Sequence, residues 1–161
     1  MKRLLLIIAL GLYGFVSFGQ SLTIDKERKD VIWEASYNTT WTKDDILEHL
    51  LAYNLLDNIV THRDMIAGDT YGTFLDYESE GYRRANLPIY MLNGHFKCRL
   101  IIRCYDGYYT VEGCQMRFID MNNGLLGTTH LYEARHSDSF DKVSTLVLKH
   151  LMSTANFEAY K

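Results

Sequence analysis

Hydrophobic and polar residues alternate with a period of two in two parts of the chain. From Asp30 onward, aromatic and β-branched side chains fall on one face and polar side chains largely on the other, which is typical of a half-buried strand. The segment 95–119 has longer β-rich arms around Asp106-Gly107, which predicts a hairpin with a type I′ turn. The core face of its first arm would carry Phe96, Cys98, Leu100, Ile102 and Cys104.

The second arm of this hairpin changes phase. Tyr109 and Val111 belong to the core face, whereas the later apolar residues, from Cys114 to Phe118, have the opposite parity. A slip of one residue turns every later side chain to the other face, so one extra residue at Glu112-Gly113 would restore agreement and place Cys114 beside Leu100. We therefore predict a β-bulge at Glu112-Gly113, with the glycine supplying backbone freedom.

Two other segments have the period of a helix. Thr42 is a good N-cap and Asp45 stands where a capping-box acid would stand, ahead of an apolar stripe at helical spacing, which predicts a helix from about 43 to 56. A last helix is predicted from about 140 to 152, with Asp138 or Ser139 as its cap.

The intervening segments are less regular. Residues 58–77 are predicted to form a hairpin whose turn is 67–70, residues 78–88 a charged loop, and residues 128–132 a short strand. Asn93-Gly94 predicts either a second hairpin turn or a local bend. The order strand, helix, run of strands, helix predicts an α+β domain with two helices packed on one face of an antiparallel sheet.

The first residues have the pattern of an export signal. Met1-Lys2-Arg3 precede an uncharged apolar run over 4–18 that ends in small residues, which predicts a secretory signal peptide at 1–19. The run is too short and too interrupted for a membrane-spanning helix. We expect a periplasmic or secreted protein that is not inserted in the membrane after signal removal. A polar lead-in at 20–29 and one domain at 30–157 would remain.

Charge narrows the class of partner. The chain has 17 Lys and Arg against 20 Asp and Glu, a net charge of −3, and losing Lys2 and Arg3 would leave −5. A mildly acidic chain without a basic block is not expected to bind nucleic acid or anionic membrane.

Three cysteines are an odd number for an exported protein. A bond between Cys98 and Cys114 is one alternative. We favour the other, in which the thiols are buried and act as small apolar side chains.

A basic and aromatic surface is the main candidate site. It would lie on the open face and at the tip of the central hairpin, where it could bind an anionic ligand or an acidic partner; the alternative is a solvated sheet face. Its residues are Lys97, Arg99, Arg103, Tyr105, Tyr108 and, if the bulge is right, Arg117.

A second candidate is His130, Glu133 and His136, which could hold a metal or be surface polar residues. Two histidines six residues apart do not have the i, i+4 spacing of metalloprotease helices. No catalytic residue, cofactor or metal site is predicted.

Part of the chain resembles a known family. The features are the strand ending near Tyr37, the helix opening at Trp41-Thr42, the stretch from Asp64 through Gly68 to Gly72-Thr73-Phe74, and the closing 100–109. Over about 30–120 they resemble exported bacterial domains of unknown function, described as having a TATA-binding-protein-like fold. The resemblance implies that fold and no catalytic residue.

These observations lead to two functional hypotheses. The first is a non-enzymatic binding or interaction module whose partner is an envelope protein or a small ligand. The alternative is a small envelope enzyme, a metal-dependent hydrolase that uses His130, Glu133 and His136.

Overall fold

The structure is a computed structural model that describes residues 21–25, 27, 30–79, 81–122, 124–128 and 146–157. The predicted signal peptide, the 130–136 cluster and the predicted cap at Asp138 or Ser139 lie outside these residues. No helix in the described ranges is both long and apolar enough to cross a membrane.

Seven antiparallel strands form a single sheet in the described part of the chain. Its order is β1-β2-β6-β5-β4-β3, and β7 pairs with β6 beyond the stretch that β2 occupies. The strands are β1 (Ser21–Asp25), β2 (Asp30–Asn38), β3 (Leu56–His62), β4 (Met65–Thr70), β5 (His95–Tyr105), β6 (Tyr108–Ile119) and β7 (Leu125–Thr128).

Helices supply a second part of the core, and Leu75, Tyr77, Leu87 and Phe157 join it from outside the helices and strands. The helices are α1 (Lys43–Ala52), the short α2 (Ile89–Asn93) and α3 (146–155), with a 3₁₀ turn at Arg84–Asn86. Buried residues of all three helices join one hydrophobic cluster with one face of the sheet, which includes Trp33, Phe96 and Phe118. The Tyr109 hydroxyl of that face donates to the Ala155 carbonyl at 3.0 Å. The predicted α+β class is confirmed.

Both ends of α1 have a local explanation. The Asp45 N–H donates to the Thr42 hydroxyl, and the Thr42 N–H donates to the Asp45 carboxylate at 2.7 Å, so the predicted capping box is confirmed. The helix ends at Ala52, not near 56, because Asn54 adopts a left-handed φ of 51°. The Leu55 N–H then reaches the Leu50 carbonyl and the Asn54 N–H reaches that of Leu51, which is a Schellman motif.

The predicted hairpin over 58–77 is wrong in register. The turn is at Arg63-Asp64, between the paired residues His62 and Met65, and the predicted turn 67–70 lies inside β4. Gly68 is there for close packing, because a Cβ on it would be 3.0 Å from the Leu56 Cβ.

The central hairpin is confirmed, with β5 and β6 joined by Asp106-Gly107. The predicted turn type is wrong. Type I′ needs a positive φ at both central residues, and only Gly107, at 82°, has one.

The predicted bulge exists but lies later in β6. Leu100 pairs with Gly113 and Arg99 with Cys114, and the register then shifts before Lys97 pairs with Arg117. Gln115 has the positive φ of the bulge, 52°. Cys114 therefore does not lie beside Leu100.

Gly113 has a different role from the predicted one. It faces the core, and a Cβ on it would lie 3.3 Å from the Trp33 ring. Its missing side chain makes room for the indole.

Three shorter segments also bear on the sequence predictions. The expected polar lead-in contains a strand, β1. Of the two alternatives for Asn93-Gly94, the structure has the local bend, which ends α2 just before β5. β7 covers Leu125–Thr128, and all but the first residue of the short strand predicted at 128–132 lies outside the described residues.

Candidate ligand-binding face

The predicted basic residues share the open face, which we define as the sheet face opposite the hydrophobic cluster. Their side chains alternate with buried core residues along β5, as expected for a strand with two different faces. Lys97 lies directly opposite Arg117, and Arg99 and Arg103 lie opposite Cys114 and Thr110. The bulge is what brings Arg117 to this face, because it restores the parity of β6.

One carboxylate organises two of the arginines. Asp69 of β4 pairs in register with Arg99, and its Oδ1 lies 3.5 Å from Arg99 Nη1 and 3.9 Å from Arg117 Nη2. Its Oδ2 accepts from the Asn58 amide at 3.2 Å. The Asp69 side chain is only 12% exposed, while those of Arg99 and Arg117 are 29% and 27% exposed. The buried Asp69 carboxylate therefore holds both guanidinium groups in place, and each guanidinium group stays partly accessible to solvent.

Arg103 belongs to a separate pair. Its Nη1 lies 3.3 Å from Glu112 Oε2, and the Glu112 side chain is 9% exposed. The negative charge of the buried Glu112 carboxylate therefore neutralises the positive charge of the Arg103 guanidinium locally. A uniformly solvated sheet face would not bury Glu112. The alternative of a solvated sheet face therefore describes this surface incompletely.

The tyrosines lie far from the other cations. Tyr105 and Tyr108 are paired across the turn, and their exposed rings stack with centroids 4.7 Å apart. Tyr105 comes eight positions after Lys97, a distance of about 27 Å along an antiparallel strand. The six predicted residues thus fall into three separate groups. The cation cluster consists of Lys97, Arg99 and Arg117, Arg103 is paired with Glu112, and Tyr105 and Tyr108 form the tip of the hairpin.

A small cavity adjoins the cation cluster and was not predicted. It has a volume of about 220 Å³ and is lined by Gly72, His95, Ile119, Asp120 and Met121. Only the parity of His95, which matches that of Lys97, could have pointed to it from the sequence.

A larger depression of about 530 Å³ lies on α1, lined by Asp44, Leu47, Glu48, Leu51 and Ala52. Within the described part of the chain its lining comes from one helix, and those residues form neither an opposing wall nor a set of converging polar groups. We therefore regard the cavity beside the cation cluster as the better site.

The cysteines are not placed for nucleophilic chemistry. Cys98 and Cys114 are buried and Cys104 is half-buried, which agrees with the favoured interpretation for the first two. Burial raises the pKa of Cys98 to about 12, so this thiol stays protonated at neutral pH.

The metal hypothesis is not tested by the described residues. In the ranges that the structure covers, no group of three or more His, Cys, Asp and Glu side chains could hold an ion. His130, Glu133 and His136 lie outside those ranges, so their role stays a prediction.

Comparison with known proteins adds one structural likeness. No family model matches the chain, and no curated protein matches it. Among solved structures, the chain is similar to a TBP-like protein from Parabacteroides distasonis, with 15% identity, 83% of this chain and 97% of that chain covered, and a TM-score of 0.40. Membership in the exported family stays a prediction.

Proposed function

We propose that the protein is an exported, non-enzymatic binding module that holds an anionic ligand on its cation cluster. The observation that carries the proposal is that Lys97 lies directly opposite Arg117. Like charges directly opposite each other on neighbouring strands destabilise a sheet. An anion bound between the two side chains would offset that repulsion. The Lys97–Arg117 pair is therefore better suited to binding an anion than to stabilising the sheet.

The local charge supports the same conclusion. The cluster has three cations and one anchoring acid, Asp69, a surplus of two positive charges in a chain whose net charge is −3. Guanidinium groups bind carboxylates and phosphates with two parallel hydrogen bonds. The proposed site is therefore narrower than the six predicted residues, and it leaves out Arg103, Tyr105 and Tyr108.

Export and fold complete the proposal. The pattern of residues 1–19 supports passage to the periplasm or out of the cell, where the partner would be a small ligand or an acidic envelope protein. We also propose that the sheet with α1 and α3 on one face is a TATA-binding-protein-like arrangement. An intact mass that begins near Gln20, from protein in the envelope fraction, is expected; uncut protein confined to the cytoplasm would contradict export.

Charge reversal tests the binding site. Native mass spectrometry of protein isolated from its own host's envelope should detect extra mass that is lost on denaturation. The variant K97E/R117E should lose this mass, because both cations then repel an anion. The matched control is R83E/R84E, the same charge change at two exposed residues in and beside the 3₁₀ turn, and it should retain the mass.

Two results would overturn the proposal. One is a bound mass that survives in K97E/R117E as it does in the control. The other is a wild-type protein that carries no extra mass and also fails to bind inorganic phosphate or short phosphate esters in a calorimetric titration.

A further inference from the structure

The cation cluster continues into a cavity on the same face of the sheet, which has both apolar and polar lining residues. Two residues beyond the Lys97–Arg117 pair, His95 and Ile119 lie opposite each other. Side chains two residues apart on a strand share a face, about 7 Å apart. These two residues line the cavity of about 220 Å³, so the cavity begins one pair beyond the cations.

Gly72 keeps this cavity open. A Cβ on Gly72 would be 3.0 Å from the His95 Cβ and 3.6 Å from Ile119 Cδ1, so any side chain there would enter the space. Ile119 is 6% exposed and Met121 is 89% exposed. The first forms an apolar wall, and the second is a flexible apolar side chain at the rim.

Asp120 gives the cavity a polarity opposite to that of the cation cluster. Its Oδ1 accepts from the N–H groups of Asn122 and Gly124 at 2.8 and 2.7 Å, so the loop holds the carboxylate in place. A fixed carboxylate beside the cavity repels a second anion. An anionic group should therefore lie at the cations and not in the cavity.

From this juxtaposition we propose that the ligand is an amphiphilic anion. Its charged group binds Lys97, Arg99 and Arg117, and a short alkyl chain enters the cavity beside Gly72 and Ile119. This inference rests on the proposed function and adds the chemical class of the ligand to it.

A series of alkyl phosphates tests the chemical class. Inorganic phosphate, ethyl, butyl and hexyl phosphate would be titrated into the full protein by calorimetry. Affinity should rise by about threefold to fourfold for each buried methylene until the cavity is full. Hexyltrimethylammonium, which has the same chain and the opposite charge, should not bind.

Variants separate the chain from the charge. Gly72→Ala narrows the cavity, and Met121→Asn removes an apolar side chain from its exposed rim without touching the core. Each should reduce the advantage of hexyl over ethyl phosphate and leave inorganic phosphate binding unchanged. Met152→Asn is the matched control, because Met152 is exposed on α3, and it should retain the full advantage.

The outcomes distinguish the two proposals. Equal affinity for all the phosphates, lost in K97E/R117E, would overturn the amphiphilic ligand and leave the anion site standing. A gain with chain length that persists in K97E/R117E would also overturn it, because the chain would then bind elsewhere. Failure of every probe to bind would overturn both.

Discussion

The bulge in β6 depends on a single non-glycine residue in the left-handed region. Gln115 has a φ of 52° and an exposed side chain. Its backbone makes the specific contacts: its N–H donates to Asp30 Oδ2 at 2.8 Å, and its carbonyl accepts from Arg117 Nη1 at 3.0 Å. Arg117 reaches the open face only because the bulge precedes it. Gln115 therefore also positions part of the proposed site.

Gln115→Gly is therefore expected to stabilise the protein. A left-handed conformation costs a residue with a Cβ about 1–2 kcal/mol, and the greater freedom of glycine in the unfolded chain offsets part of this gain. We expect a net increase of about 0.5–1 kcal/mol in the free energy of unfolding, measured with urea. Gln115→Ala is the control, since it removes the side chain and keeps the strain. Equal stability of the two variants would contradict the argument.

The start of α1 is an element whose stability rests on one reciprocal pair. The Thr42 side chain and backbone both contact Asp45, and the hydrogen bonds from Thr42 lower the pKa of the Asp45 carboxyl. Thr42→Ala should destabilise the protein by about 1 kcal/mol, which urea unfolding would measure. Thr40→Ala, an exposed position just before the cap, should have little effect. If both variants unfold at the same urea concentration, the cap does not stabilise the fold.

Elements with local signals could be predicted from the sequence. The alternation in β2, the cap of α1 and the turn at Asp106-Gly107 each depend on residues close together in the chain. The β3–β4 hairpin could not be predicted, because Gly68 resembles a turn glycine and instead lets β3 pack closely. The bulge was predicted from parity, but parity requires only one extra residue somewhere between the two phases of β6.

At the scale of the whole molecule, the charged part of the site could be predicted and the cavity could not. Alternation alone put Lys97 and Arg99 on the open face. The cavity combines Gly72, from the segment after β4, with Asp120, from the loop after β6. No local pattern links residues so distant in the chain, and only the packed structure brings them together.

The packing of α3 against the sheet predicts how the stability of the whole molecule depends on pH. His150 lies on α3 with its ring edge-on to Phe96, centroids 5.8 Å apart. Its Nε2 is buried and makes no hydrogen bond within the described part of the chain, and burial lowers the pKa of His150 below 6.5. Protonation therefore favours the unfolded state, in which the imidazole is hydrated.

The sign of the effect follows from linkage. Below about pH 6.5 the imidazole of His150 is protonated to a greater extent in the unfolded chain than in the folded chain. The stability contributed by neutral His150 is thus complete above pH 6.5 and is lost as the pH falls toward the lower, folded-state pKa. Urea unfolding between pH 5 and 8 should show this decline in the wild type and a shallower one in His150→Phe, which keeps a ring against Phe96 and cannot titrate. Equal slopes for the two proteins would mean that α3 does not bury a titrating histidine against the sheet.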